Sequence, residues 1–92
     1  MRIGVLSFDF LIPESKSLKY RRTVANKIIQ SLKKRYNVSV AMKPSDHRQR
    51  VTLHVVYVNS NTSRIDKTLD SIWGYVQSLK YIELLDQGRE LF

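Results

Sequence analysis

Ile12-Pro-Glu-Ser-Lys-Ser-Leu-Lys-Tyr-Arg-Arg22 is the stretch at which the hydrophobic period of this chain changes. Before it, from Ile3 to Ile12, side chains alternate. Leu6, Phe8, Phe10 and Ile12 point one way, and Val5, Ser7, Asp9 and Leu11 the other. Period two with β-branched and aromatic residues predicts a strand with one buried face. Pro13 has no amide hydrogen to give to a ladder, so the strand ends there. After the stretch, from Ser17 to Tyr36, the period becomes about 3.6. One helix face collects Leu18, Ala25, Ile28, Ile29, Leu32 and Tyr36; the far face collects Lys19, Thr23, Asn26, Lys27, Gln30 and Lys34. Ser15 or Ser17 is the expected N-cap. Arg21 falls on the apolar side and Arg22 at its flank. The helix start is therefore expected to overhang the sheet edge, with stems packed and guanidinium heads in water. Lys33-Lys34-Arg35 closes the helix, where cations complement its dipole.

Downstream the same two periods recur. Asn37 is expected to take the turn conformation after the helix. Val38 to Met42 reads as a second strand, Lys43 to Arg48 as a polar loop, and Arg50 to Val58 as a third strand. Asn59 to Ser63 is rich in cap residues and opens a second helix with the stripe Ile65, Leu69, Ile72, Trp73, Val76 and Leu79. Gly74 inside it predicts close packing at that point. Tyr81 to Phe92 reads as the last strand, with Gly88 as its bulge. The order is βαββαβ. Two right-handed crossovers sharing one sheet define an α+β, ferredoxin-like sandwich, strand order 4-1-3-2, all neighbours antiparallel and both helices on one face. At 92 residues the whole chain is expected to form one such domain.

The net charge of +8 and pI of about 10.1 are unevenly placed. Residues 1–50 carry 12 Lys/Arg against Asp9, Glu14 and Asp46; residues 51–92 carry 4 against 5 acids. A basic half of this kind points to a polyanion, most often nucleic acid. Cysteine is absent, which excludes disulfides, thiol catalysis and Cys-based zinc sites. The first residues look like a strand and not a signal peptide, and no apolar run approaches the ~20 residues of a membrane span, so a cytoplasmic location without membrane contact is expected.

The expected topology places the start of helix 1 beside the loop between strands 2 and 3. Lys16, Lys19, Arg21 and Arg22 then converge with Lys43, His47, Arg48 and Arg50, with Glu14 and Asp46 as nearby acids. The helix N-terminus adds amide N–H groups and about half a positive charge, a combination suited to phosphate. The open sheet face carries Val5, Leu11, His54, Val56 and Val58 with Ser7, Asp9, Ser39, Ala41 and Thr52. It lacks the aromatic pairs with which RNA-recognition domains stack bases. Being rather apolar for a solvent face, it suits a second copy of the chain. Catalysis has little support: His47 and His54 are not spaced as a metal pair, there is no G-x-S-x-G elbow, and three scattered glycines form no phosphate loop. A non-enzyme without metal or cofactor is expected.

These residues also resemble a known family. Ile12-Pro13, Ser17-Leu18-Lys19-Tyr20-Arg21-Arg22, Tyr36-Asn37-Val38-Ser39-Val40-Ala41, Gln49-Arg50, Glu83-Leu84-Leu85-Asp86 and Arg89-Glu90 are similar to the motifs of the YlxP-like bacterial family of unknown function. The resemblance implies the same ferredoxin-like fold and, from members encoded among translation and ribosome-maturation genes, a ribosome-binding role. This chain departs at Met42, where the family usually has Glu, at His47-Arg48, where an apolar or aromatic pair is usual, and at Leu11, where a polar residue is common. The first two departures make the basic edge more positive; the third makes the open face more apolar. The expectation is an RNA-binding accessory protein associated with the ribosome, gripping phosphates at the basic edge. The competing expectation is a homodimeric scaffold or regulatory module paired through the open face.

Overall fold

A computed structural model describes residues 1–92. Its elements are β1 (Arg2–Leu11), α1 (Leu18–Arg35), β2 (Ser39–Met42), β3 (Arg50–Asn59), α2 (Thr62–Gln77) and β4 (Glu83–Leu91). The sheet order is β2-β3-β1-β4 and every pairing is antiparallel. This is the expected α+β, ferredoxin-like arrangement.

The alternation of β1 sets the core. Leu6, Phe8 and Phe10 are fully buried and meet Val55, Leu53 and Val51 of β3 in register. Over them lie Val24, Ala25, Ile28 and Leu32 of α1 and Ile65, Leu69, Ile72 and Val76 of α2. Trp73 stacks on Phe8, ring centroids 5.7 Å apart and planes 7° from parallel, tying α2 to the centre of the sheet. Tyr36 reaches from the end of α1 to hydrogen-bond the Ser71 hydroxyl at 2.8 Å, and Arg35 lies 4.3 Å over the Tyr75 ring.

Four local expectations are corrected. Leu18, the first residue of α1, is 40% exposed and does not join the core. Asn37 does not adopt a left-handed conformation: Tyr36 turns to extended backbone (φ −135°) while its N–H still reaches the Leu32 carbonyl at 2.9 Å. Gly74 faces open space, and the close approach is at Gly4. A Cβ on Gly4 would lie 2.5 Å from Ile65 Cγ2 and 3.0 Å from Leu69 Cδ1, so the bare glycine is what lets α2 settle onto β1. The bulge in β4 is at Leu85, not Gly88. Asp86 opposes Asp9 and Leu84 opposes Phe10, leaving Leu85 without a partner, whereas Gly88 pairs regularly with Ser7.

Candidate nucleic-acid interface

The carboxyl ends of β1 and β2, the start of β3 and the start of α1 meet at one end of the sheet, as the topology requires. What joins them is a set of bonds between side chains and loop carbonyls. The Ile12 N–H donates to the Gln49 carbonyl at 2.8 Å, and Gln49 Nε2 donates back to the Pro13 carbonyl at 3.0 Å. The Ser15 hydroxyl is buried between the carbonyls of Arg48 (2.6 Å) and Ser17 (2.9 Å). Ser17, and not Ser15, is the N-cap of α1: its oxygen accepts the Tyr20 N–H at 3.1 Å. Ser15 and Gln49 thus hold the 12–17 connection against the 43–49 loop. Sequence reading missed both as bracing residues; the side-by-side loops it predicted were the available signal.

Between these loops lies an open cleft of about 710 Å³ lined by Ser15, Lys16, Asp46, His47, Arg48 and Gln49. His47 Nδ1 accepts the backbone N–H groups of Gln49 and Arg50, each at 3.1 Å. The neutral ring therefore carries its proton on Nε2, where it serves as a donor. Three of the eight expected basic residues, Lys16, His47 and Arg48, thus line one cleft, and Lys19 and Arg22 are exposed on the first turns of the helix that follows Lys16.

The other three have different places. Arg21 does not reach water, as expected of it; it is only 4% exposed. Its guanidinium donates to the carbonyls of His47 (2.8 Å) and Arg50 (3.3 Å), while its Nε has no hydrogen-bond partner. No carboxylate pairs with it. Arg50 turns to the open face and forms a two-pronged ion pair with Asp9, its Nε 3.0 Å from Oδ1, with Thr52 also donating to that carboxylate. The Arg50 hydrogen bond holds the Asp9 carboxyl below its ordinary range, and Asp9 in turn raises Arg50. Lys43 leaves the sheet beside them, its N–H bonded to the Thr52 carbonyl, and adds to the lowering of Asp9.

On the open face, Val5, Leu11, His54 and Val56 are half-buried and Val58 is 45% exposed, all on the side expected. His54 Nδ1 lies 2.9 Å from the Ser7 hydroxyl across the β1–β3 pair, which gives this histidine a structural partner.

Two further hollows were not anticipated. A polar groove of about 410 Å³ at the opposite end is lined by Tyr36, Asn61, Ser63, Arg64, Lys67, Thr68 and Ser71. A smaller, more enclosed cleft of about 230 Å³ lies on the other side of the 12–17 connection, lined by Ile12, Glu14, Tyr20, Val24, Lys27 and Tyr81. Burial raises the Tyr81 phenol above its ordinary value, with Tyr75 adding a smaller effect. No cluster of three or more His, Asp or Glu could hold a metal, and no helix is long and apolar enough to cross a membrane.

Fold and cleft together define a small α+β domain of ferredoxin-like topology with net charge +8 and a cleft lined by Lys16, His47 and Arg48 near the start of α1. Residues 3–89 match the family described as Protein of unknown function (DUF503), and the chain belongs to that family. It is 27% identical over 82 residues to the uncharacterized protein YlxP of Bacillus subtilis (strain 168), a match covering 88% of this chain and 89% of the relative. The fold is also similar to that of a point mutant of SnoaB, a cofactor-independent oxygenase from Streptomyces nogalater. The TM-score is 0.53 over 99% of this chain and 90% of that one. At 8% identity this likeness shows a shared fold alone.

Proposed function

We propose that this protein is an RNA-binding accessory factor that holds phosphate groups at the cleft between α1 and the 43–49 loop. The observation that carries this reading is Arg21. A guanidinium keeps its charge at any physiological pH, and a buried charge normally has a counter-ion. Arg21 is buried, with two carbonyls as partners and no carboxylate, directly behind a cleft lined by Lys16, His47 and Arg48. Against Arg21, Lys16 and Arg48 the cleft's lining holds one carboxylate, Asp46, so the region is short of negative charge, and a phosphate would supply it, with Lys16, Arg48 and the His47 Nε2–H as surface donors. Lys19 and Arg22 extend the positive surface along α1, which favours a chain of phosphates over a single one. The family's association with translation genes makes structured RNA of the ribosome the polyanion of choice. Recognition at this cleft is by backbone charge and shape.

Binding of a labelled structured RNA, followed across salt concentrations, tests this. The expectation is a steep log–log salt dependence, made shallower by the triple change Lys16→Ala, Arg22→Ala and Arg48→Ala, each lost phosphate contact lowering the slope by about 0.7–0.9. Weak binding of equal strength by wild type and triple variant would remove the reading.

A second reading is supported by the exposed apolar pair Ile3 (40%) and Val58 (45%), which face each other in register on the open sheet face beside Val5 and Val56. It makes the protein a homodimer through that face. Mass measurement at micromolar concentration decides it: Val58→Asp should convert dimer to monomer, and a wild-type monomer leaves the reading without support.

A further inference from the structure

We propose that the cleft between Tyr20 and Tyr81 accepts one unstacked nucleobase of the RNA whose phosphates lie in the neighbouring basic cleft. The inference rests on the RNA reading above and narrows it to RNA presenting an unpaired base.

Four observations converge on this hollow. First, it has the form of a base slot. Its floor is apolar, with Ile12 fully buried and Val24 nearly so, and its volume of about 230 Å³ is below the roughly 300–1,000 Å³ of drug-sized ligand pockets. A ligand no larger than a single ring system is what this size suits. Second, two tyrosines from distant parts of the chain flank it and keep 47% and 45% of their surface exposed. Half-exposed aromatic rings with no polar task at the edge of an apolar slot are the usual platform for base stacking, and every base offers a face to them.

Third, the rim carries one acceptor and one donor, Glu14 and Lys27. Glu14 can accept from an exocyclic amino group and Lys27 can donate to a ring carbonyl. Cytosine and guanine present both groups; adenine lacks the carbonyl and uracil lacks the amine. Fourth, the two clefts share the 12–17 connection. Glu14 lines one and Lys16 the other, so their Cα atoms are no more than about 7 Å apart. A base in the tyrosine cleft can thus belong to a nucleotide whose phosphate lies near Lys16 or Lys19. The open sheet face, where related folds stack bases, has no Phe, Tyr or Trp on β1 or β3, and its one aromatic ring, His54, is bonded to Ser7; here the tyrosine pair stands at the end of the domain instead.

The probes are a labelled single-stranded RNA of about ten nucleotides, an abasic oligomer of the same length, and an RNA duplex. Wild type should bind the single strand tighter than the abasic oligomer. Tyr20→Ala and Tyr81→Ala should each weaken single-strand binding about tenfold, within the 1–3 kcal/mol per stacked base that such changes cost. The salt slope should stay unchanged, because stacking releases no counter-ions. Tyr20→Phe and Tyr81→Phe should retain affinity, since the ring and not the hydroxyl does the stacking. Duplex binding should be the same in all variants, which also reports that they are folded. A cytosine-rich strand should bind tighter than a uracil-rich one, with the preference lost in Glu14→Gln. Salt-dependent RNA binding by wild type, with both alanine variants binding single strands equally well, overturns the base slot and leaves the RNA reading standing. No salt-dependent binding by wild type removes the RNA reading itself.

Discussion

The starts of the two helices are alike in their local chemistry and unlike in everything around them. Each opens on a polar cap, Ser17 for α1 and Asn61 for α2, whose side-chain oxygen accepts the N–H three residues on. Each has cations in its first turns and a polar hollow beside it. The start of α2 is held by its own neighbours: Asn59 Oδ1 accepts the Asn61 N–H, and Tyr57 accepts from Asn59. The start of α1 is held by a loop some thirty residues away, through Ser15, Arg21 and Gln49. A helix N-terminus alone gathers only what its own sequence supplies. Long-range bracing at α1 adds His47 and Arg48 to Lys16, Lys19 and Arg22 and places an unpaired cation behind them. That is why the anion site is assigned to α1 and not to α2.

The comparison is tested most severely by removing the brace. Arg21→Ala leaves the His47 and Arg50 carbonyls without their charged donor and should cost about 2–3 kcal/mol in urea unfolding. Arg64→Ala, an exposed change at the other helix start, should stay within about 0.5 kcal/mol. Equal effects would abolish the distinction. Gly4→Ala probes the opposite end. Its Cβ would press on Ile65, in the first turn of α2, and on Leu69, and overpacking of this kind costs about 1–3 kcal/mol. Thermal unfolding should show that loss with RNA affinity at the α1 cleft unchanged. The caps supply the likeness: Ser17→Ala and Asn61→Ala should each cost about 1 kcal/mol, and a much larger loss at Ser17 would mean that it belongs to the brace as well.

The smallest expected effect concerns the ion pair beside the α1 cleft. Arg50 lowers the Asp9 carboxyl, so the folded state favours the charged form. That stability is present above the ordinary carboxylate value of about 4 and is lost as pH falls through the lowered folded value. Asp9→Asn should therefore be slightly less stable than wild type at neutral pH and converge with it as pH falls below the ordinary carboxylate range, as read from denaturation midpoints. A constant gap across that window would show that Asp9 acts through its shape and not its charge.

The fold was legible because β1 and the two helices declare their periods in long, uninterrupted runs, and the βαββαβ order then permits few topologies. Places where a side chain's destination depends on a distant segment were not legible. A helical wheel puts Arg21 on the apolar side but cannot show that loop carbonyls wait there to receive it. Charge counting includes Arg50 in the basic edge, but only the β1–β3 register reveals that Asp9 and Thr52 face it. The pattern of glycines cannot say that Gly4 lies under a helix while Gly74 looks into water. Tyr20 and Tyr81 are sixty-one positions apart, and neither signals a cleft by itself.

The extra residue at Leu85 has a consequence for the health of the protein in a crowded cell. β4 is the long outer strand of the sheet, nine residues against four in β2, and a flat outer strand of that length invites other chains to add to it and grow aggregates. The bulge re-phases the strand, so that Leu84 stays with the core while Asp86 and Glu90 share the outer face with Glu83. An incoming strand would meet an interrupted ladder and a row of like charges. Deleting Leu85 would restore a continuous ladder with Leu84 still opposite Phe10 and Asp86 still opposite Asp9, and so remove a safeguard against misassembly that the Leu-Leu doublet builds into the chain.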